Sequence, residues 1–469
     1  MYDTFDASLA AALGILLAIL AVGVSALRAI HRRRFDLADV FLVSLGFVYG
    51  VGYALVMHVT STGDNGATGA RIARFEGSFW VIPTLEFLAF IAGRLMLTLW
   101  SDKPRRPRLL VSDDEIGMGR LHLLAWGFLV VSLCSFLLYV RAYGGVAGYF
   151  EMAVAIRSGW FDLAGDNPYA FLFAFNGLAF FASYLFAACT LALPRGYKRA
   201  VAIAGFVIAM AVSTTVLVGR LGRVDLLTYW ATMLFAFAIY RYGLAVRLMA
   251  WGAALVLAIL AMMPQVSSWL DRPAAAGVVE FFSYELAFPV ESALNTLELD
   301  EYRLGKDIAL APIFLLPERI WNVQLGIRTL SDRNSENLLG APISDGFGYT
   351  FPADMLTTGL YQAGHVGPII LVAIFCILLM YLDRFLVYRF PRALSAFLYS
   401  HAVFSIAALS TLYADPRMVV MRNFQFLVGI SAIWFFGAFL WKRTAQIADA
   451  RLGRRRSFLE SLPASSPGM

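Results

Sequence analysis

The 469-residue chain is 60% hydrophobic and 14% aromatic, with 15% charged residues and a formal net charge of +6. Soluble domains carry roughly 25% charged residues, so this composition excludes an ordinary soluble enzyme. The basic residues sit in short loops between apolar runs, which excludes a nucleic-acid partner and makes them markers of topology.

The N-terminal stretch from Met1 to Ser8 is acidic, and the apolar run after it ends in His31, Arg32, Arg33 and Arg34, the pattern of an uncleaved first span. Runs of about twenty residues, enough to cross roughly 30 Å of hydrocarbon, predict spans near 8–30, 36–58, 77–100, 121–143, 168–194, 200–219, 224–241, 246–264, 366–383, 396–414 and 424–441. Each must be helical, because backbone groups in lipid find no water to bond and no period-two alternation marks a barrel strand. Cys134, Cys189 and Cys376 lie inside these runs with no CxxC or His/Cys spacing, so they read as packing residues, and neither a metal nor a cofactor is expected. Glu86 falls near the middle of the third span, where an ionisable group is costly and must pair or stay protonated.

Lys103, Arg105, Arg106 and Arg108, then Arg195, Lys198 and Arg199, then Arg384, Arg389 and Arg392, and Arg454 to Arg456 all fall on one side when spans alternate. That asymmetry predicts an N-terminus outside and a C-terminus inside. The predicted fold is all-α, a polytopic transmembrane helical bundle of about 11 spans with a large extracytoplasmic loop subdomain between spans 8 and 9. Residues 1–264 carry spans 1 to 8, 265–365 the loop, 366–441 spans 9 to 11, and 442–469 a basic cytoplasmic tail expected to be disordered. The loop holds thirteen acidic against six basic residues. Helical periodicity over 276–300, at Phe281, Phe282, Leu286, Val290 and Leu294, predicts short helices resting on the bilayer surface. No internal repeat is found.

A few arginines break the charge asymmetry. Arg220 and Arg223 fall in the outside turn Val218-Gly219-Arg220-Leu221-Gly222-Arg223, just before Asp225, and Arg417 and Arg422 fall where Tyr413-Ala414-Asp415-Pro416-Arg417 leads into the last span. Gly219 and Gly222 let the backbone turn sharply and approach a ligand. Guanidinium forks donate paired hydrogen bonds to phosphate oxygens, so the four arginines are candidates for a pyrophosphate site. The plain alternative is that they snorkel to lipid headgroups or pair with Asp225 and Asp415.

At this point the chain resembles the O-antigen and oligosaccharide repeat-unit polymerases of bacterial surface polysaccharide synthesis. The likeness rests on Gly219-Arg220-Leu221-Gly222-Arg223-Val224-Asp225-Leu226-Leu227, on Leu316-Pro317-Glu318-Arg319-Ile320-Trp321, and on Phe351-Pro352-Ala353-Asp354 with Gly359-Leu360-Tyr361-Gln362-Ala363-Gly364-His365-Val366-Gly367 where the loop returns to the membrane. Many relatives carry a glutamate two residues before that tyrosine; this chain has Gly359, so an acid role there does not transfer. The resemblance implies a glycosyltransferase of the bacterial inner membrane that extends an undecaprenyl-pyrophosphate-linked oligosaccharide without metal. Its implied partners are membrane lipid and a chain-length regulator and flippase of the same pathway. The arginines would stabilise the departing pyrophosphate, and a carboxylate or imidazole would act as base. The candidate bases are His365, Asp345, Asp354 and Glu291, against the bland reading of helix caps and solvated loop acids. Arg319, Trp321, Tyr349 and Tyr361, with Trp269, Tyr284 and Phe347, are candidates to contact sugar, against the alternative of filling the loop core. An O-antigen ligase or other lipid-linked glycosyltransferase shares this logic. A lipid-linked oligosaccharide flippase predicts charged or broken helices near mid-membrane and repeated halves, whereas here the charges gather on one face and a large outside loop interrupts any symmetry.

Overall fold

The computed structural model describes residues 4–61, 80–99, 115–153, 167–220, 223–244, 278–299, 302–317, 319–340 and 351–436, and among them there is no strand. The α-helices are α1 (Thr4–Arg32), α2 (Leu37–Leu45), α3 (Gly52–Ser61), α4 (Val81–Leu99), α5 (Glu115–Arg141), α6 (Val146–Glu151), α7 (Leu178–Ala192), α8 (Tyr197–Gly219) and α9 (Arg223–Tyr242). They continue with α10 (Val278–Leu297), α11 (Lys306–Ala309), α12 (Leu330–Leu339), α13 (Met355–Ala363), α14 (Gly367–Arg389), α15 (Arg392–His401), α16 (Pro416–Arg422) and α17 (Phe424–Phe436). A π-helical segment, Gly46–Val51, joins α2 to α3, and another, Ala402–Ala408, extends α15.

Eight helical segments are long and apolar enough to cross a membrane: Ala11–Arg32, Leu37–Met57, Val81–Leu99, Gly117–Arg141, Ala170–Ala192, Tyr197–Gly219, Met355–Arg389 and Arg392–Thr411. The pair α16 and α17, bent by 59°, makes a ninth if it is one broken span. The chain is therefore a multi-pass membrane protein. The predicted 224–241 run is the helix α9, less apolar than the eight, and the predicted 246–264 span lies outside the described residues, as does the 442–469 tail.

Apolar side chains gain little by leaving lipid for one another, so membrane helices associate through close packing and polar links. Both are visible here. Gly14 and Ala18 of α1 cross Gly46 and Gly50 at van der Waals distance, and a Cβ added to Gly14 would lie 2.6 Å from the Gly50 carbonyl oxygen. At the end of α1, Arg28 pairs with Asp36 at 2.9 Å and with Asp39 at 2.7 Å, while Arg94 of α4 meets the same Asp39 at 3.0 Å. Arg34 pairs with Asp383 of α14, which also accepts the Tyr399 hydroxyl at 2.7 Å. These links join the ends of α1, α2, α4, α14 and α15 on one face of the bundle. Glu86 of α4 is buried, with Oε2 lacking a partner among the described residues, and lies within electrostatic reach of Tyr49.

The helix predicted to rest on the bilayer over 276–300 is α10, and its position differs. Leu286, Ala287, Val290, Ala293 and Leu294 are buried, and α10 packs against α3 and α13. Its apolar face is matched by protein, so it is built into the bundle.

Because the Gly50 contact is with backbone that cannot move aside, Gly50→Val should destabilise the folded protein by about 1–3 kcal/mol. Gly23→Ala, at a helix-interior site with open space, should not destabilise it and should stabilise it by about 0.5–1 kcal/mol. Thermal unfolding in detergent measures both; equal midpoints would refute the crossing.

Candidate functional site

The site is assembled from the end of α8, the start of α9 and α16. Arg422, the last residue of α16, pairs with Asp225 of α9 at 2.9 Å, and its guanidinium lies over the Tyr413 ring at 4.3 Å. Its Nη1 is buried without a hydrogen-bond partner among the described residues. A charged donor left unmatched in a low-dielectric setting is costly, and an anion would satisfy it.

The position of Arg422 is set by what holds α16. Asp415, fully buried, caps the helix by accepting from the Arg417 N–H at 2.7 Å, and its other oxygen accepts from the Ser331 N–H at 2.6 Å, tying α16 to α12. Burial raises the Asp415 carboxyl above its ordinary value. The N–H groups of Ala414 and Asp415 both donate to the Ala353 carbonyl. At the far end, Asn423 marks the break: its Oδ1 accepts from Ser405 Oγ at 2.9 Å and lies 3.2 Å from His401 Nε2, while its Nδ2 donates to the Val419 carbonyl. Neighbouring side chains thus supply the bonds that an interrupted helix in a membrane loses.

Arg220 caps the end of α8. Its Nη2 donates to the Phe173 carbonyl at 2.8 Å, its plane lies over the Phe173 ring at 3.9 Å, and Nε is buried with no partner among the described residues. Phe136, Tyr139, Tyr143 and Tyr149 form the surrounding aromatic cluster. Burial pushes the Arg220 guanidinium below its ordinary value, opposed by Tyr149, Asp225 and Tyr139. Asp225 is therefore within electrostatic reach of Arg220 and in direct contact with Arg422. Two arginines some 200 positions apart converge on one carboxylate, each with a spare buried donor.

The other two arginines are placed differently. Arg417 stands about 140° around α16 from Arg422, at roughly 100° per residue, and lies over the Trp321 ring at 4.9 Å. Those two guanidinium groups do not share a face. Arg223 opens α9, but its side chain lies outside the described residues. Gly219 is covered by the Tyr149 ring, so the close approach that its missing Cβ allows is taken by the protein itself; Gly222 lies outside the described residues.

Of the candidate bases, Asp345 lies outside the described residues. Asp354 is fully buried and caps α13: it accepts from the N–H groups of Leu356 and Thr357 at 3.0 Å and from the hydroxyls of Thr357 and Tyr49. Burial raises its carboxyl to about 6, a value suited to a base, yet its oxygens are occupied by these four donors. Glu291 is buried in α10. His365 is exposed, on the rim of an apolar groove of about 430 Å³ between α4 and the start of α14. Among the described candidates it alone faces an opening.

Trp321 and Tyr361 are buried and fill the loop's own core, Trp321 edge-on to Phe314 at 5.2 Å and Tyr361 accepting from Asn337 Nδ2 at 2.6 Å. Arg319 is exposed, Tyr349, Trp269 and Phe347 lie outside the described residues, and the Tyr284 side chain does too. Gly359 abuts Gly367 and Pro368 so closely that a first side-chain carbon would clash with backbone, which is why no acid stands there. Phe173 and Tyr139, which help build the arginine surroundings, escape a sequence reading because aromatics inside apolar runs look like any lipid-facing residue, and Tyr149 escapes it because it lies outside every motif.

No family model, no curated protein and no solved structure matches this chain.

Asp354→Ala removes a helix cap and strands the buried Tyr49 hydroxyl, and should cost about 2–4 kcal/mol of stability. Unfolding in detergent tests this; a loss below about 0.5 kcal/mol would show that α13 does not depend on the cap.

Proposed function

We propose that this protein is a polymerase that joins undecaprenyl-pyrophosphate-linked oligosaccharide repeat units on the outer side of the bacterial inner membrane. The observation that carries the reading is the convergence of Arg220 and Arg422 on Asp225, each retaining a buried donor that an anionic oxygen would satisfy. In the proposed reaction an acceptor hydroxyl oxygen attacks the anomeric carbon of the growing glycan. The bond to the pyrophosphate oxygen breaks, the leaving group departs with the electron pair, and the acceptor proton passes to a base. Charge grows on the pyrophosphate, where fixed guanidinium donors act without reorganising. His365 is the candidate base open to a ligand.

The proposal includes eleven spans: the eight apolar segments, the bent pair α16 and α17, the helix α9, and the 246–264 run. The face carrying Arg34, Arg94 and Arg392 is then cytoplasmic, and the Asp225 face is outside, by the excess of basic residues at the former.

Replacing Arg220 or Arg422 by Gln should lower polymer formation by about a hundredfold or more while single repeats accumulate on the lipid carrier, with protein level and detergent unfolding checked in parallel. Polymer of normal length from folded variants of both arginines would refute the site, and product on lipid A core in place of lengthened carrier-linked glycan would make the enzyme a ligase. For orientation, Arg328 is 57% exposed in the loop. Arg328→Cys in a Cys134→Ser background should react with an impermeant thiol reagent in intact cells, and labelling confined to lysed cells would reverse the topology.

A further inference from the structure

The face opposite Asp225 holds a second opening that the proposed reaction does not use. Asp225 and Tyr242 stand at opposite ends of α9, about 25 Å apart at 1.5 Å per residue. At the Tyr242 end, a cavity of about 490 Å³ is lined by Arg33, Arg34 and Arg392, with an apolar wall that includes Ile239, Val387 and Ala396. Arg34 is paired with Asp383. Neither Arg33 nor Arg392 has a carboxylate partner among the described residues, and the nearby Asp36 is engaged by Arg28 and Arg32. Three guanidinium groups against one carboxylate leave the opening positively charged, while Arg392 is held in place over the Tyr240 ring at 5.5 Å.

We propose that this cavity binds an anionic phospholipid, its phosphate held by Arg33, Arg34 and Arg392 and an acyl chain lying along Ile239, Val387 and Ala396. Charge at the mouth and hydrocarbon along the wall match both halves of such a molecule, and its position at the end of membrane helices puts it at headgroup depth. Inorganic phosphate would match the arginines alone. The backbone supplies an independent clue. Arg33 holds φ 57°, a left-handed conformation that costs an arginine and suits a glycine, and its side chain is exposed rather than packed. Arg33→Gly therefore removes the charge while favouring the turn.

The test uses the purified full chain in neutral detergent, with phosphatidylglycerol, phosphatidylcholine of the same acyl chains, and inorganic phosphate as probes. Retained lipid is read by native mass spectrometry and stabilisation by thermal unfolding. Wild type should retain phosphatidylglycerol over phosphatidylcholine. Arg33→Gly should lower that preference about fivefold, and Arg33→Gly with Arg392→Gln about thirtyfold. Equal retention of the two lipids by wild type, or an unchanged preference in the double variant, would overturn the site. Equal stabilisation by inorganic phosphate would overturn the lipid assignment in favour of a free anion. If the double variant does not fold, Arg33→Gly alone carries the comparison. Polymer synthesis is not part of the readout, so the outcome is separate from that of the proposed reaction.

Discussion

The ion pair between Asp225 and Arg422 joins two parts of the chain that hydropathy leaves unrelated, the start of α9 and the break before α17. A single carboxylate there cannot neutralise both Arg422 and the nearby Arg220, and one buried donor on each has no partner among the described residues. Incompletely paired charge at the end of a membrane helix is costly, which makes these arginines a functional-site candidate. The proposed pyrophosphate site rests on that imbalance.

Other charged side chains form networks that tie helices together. On the opposite face Asp39 is gripped by Arg28 and Arg94, and Asp383 by Arg34 and Tyr399. These links clamp helix ends that apolar contact alone would not hold together against lipid. The glycine crossing of α1 with the segment after α2 brings backbones into contact. A preorganised charge site needs such a frame, because donors that must move to meet developing charge lose much of their effect.

The loop supplies the other half of the frame. Asp415 and Asp354 are both buried helix caps, one fastening α16 to α12 and the other fastening α13 to Tyr49 of the first π segment. Asp415 thereby holds the arginine-bearing helix, while Asp354, a candidate base by type, caps the neighbouring α13. Trp321 serves in the same way, giving Arg417 a ring to lie on while filling the core beneath it.

How much of this was legible beforehand follows from what each signal measures. A run of apolar residues long enough to cross hydrocarbon is a local property, so the amino-acid sequence by itself determined that the described chain is helical and that it passes the membrane many times. Which way a side chain faces is not local. That Arg417 turns from Arg422 toward Trp321, that Asp354 is closed by four donors, that Phe173 shelters Arg220, and that α10 enters the bundle were decided only by tertiary packing. The reason is physical: a helix offers every azimuth to its surroundings, and contacts from segments tens to hundreds of residues away select which one is buried.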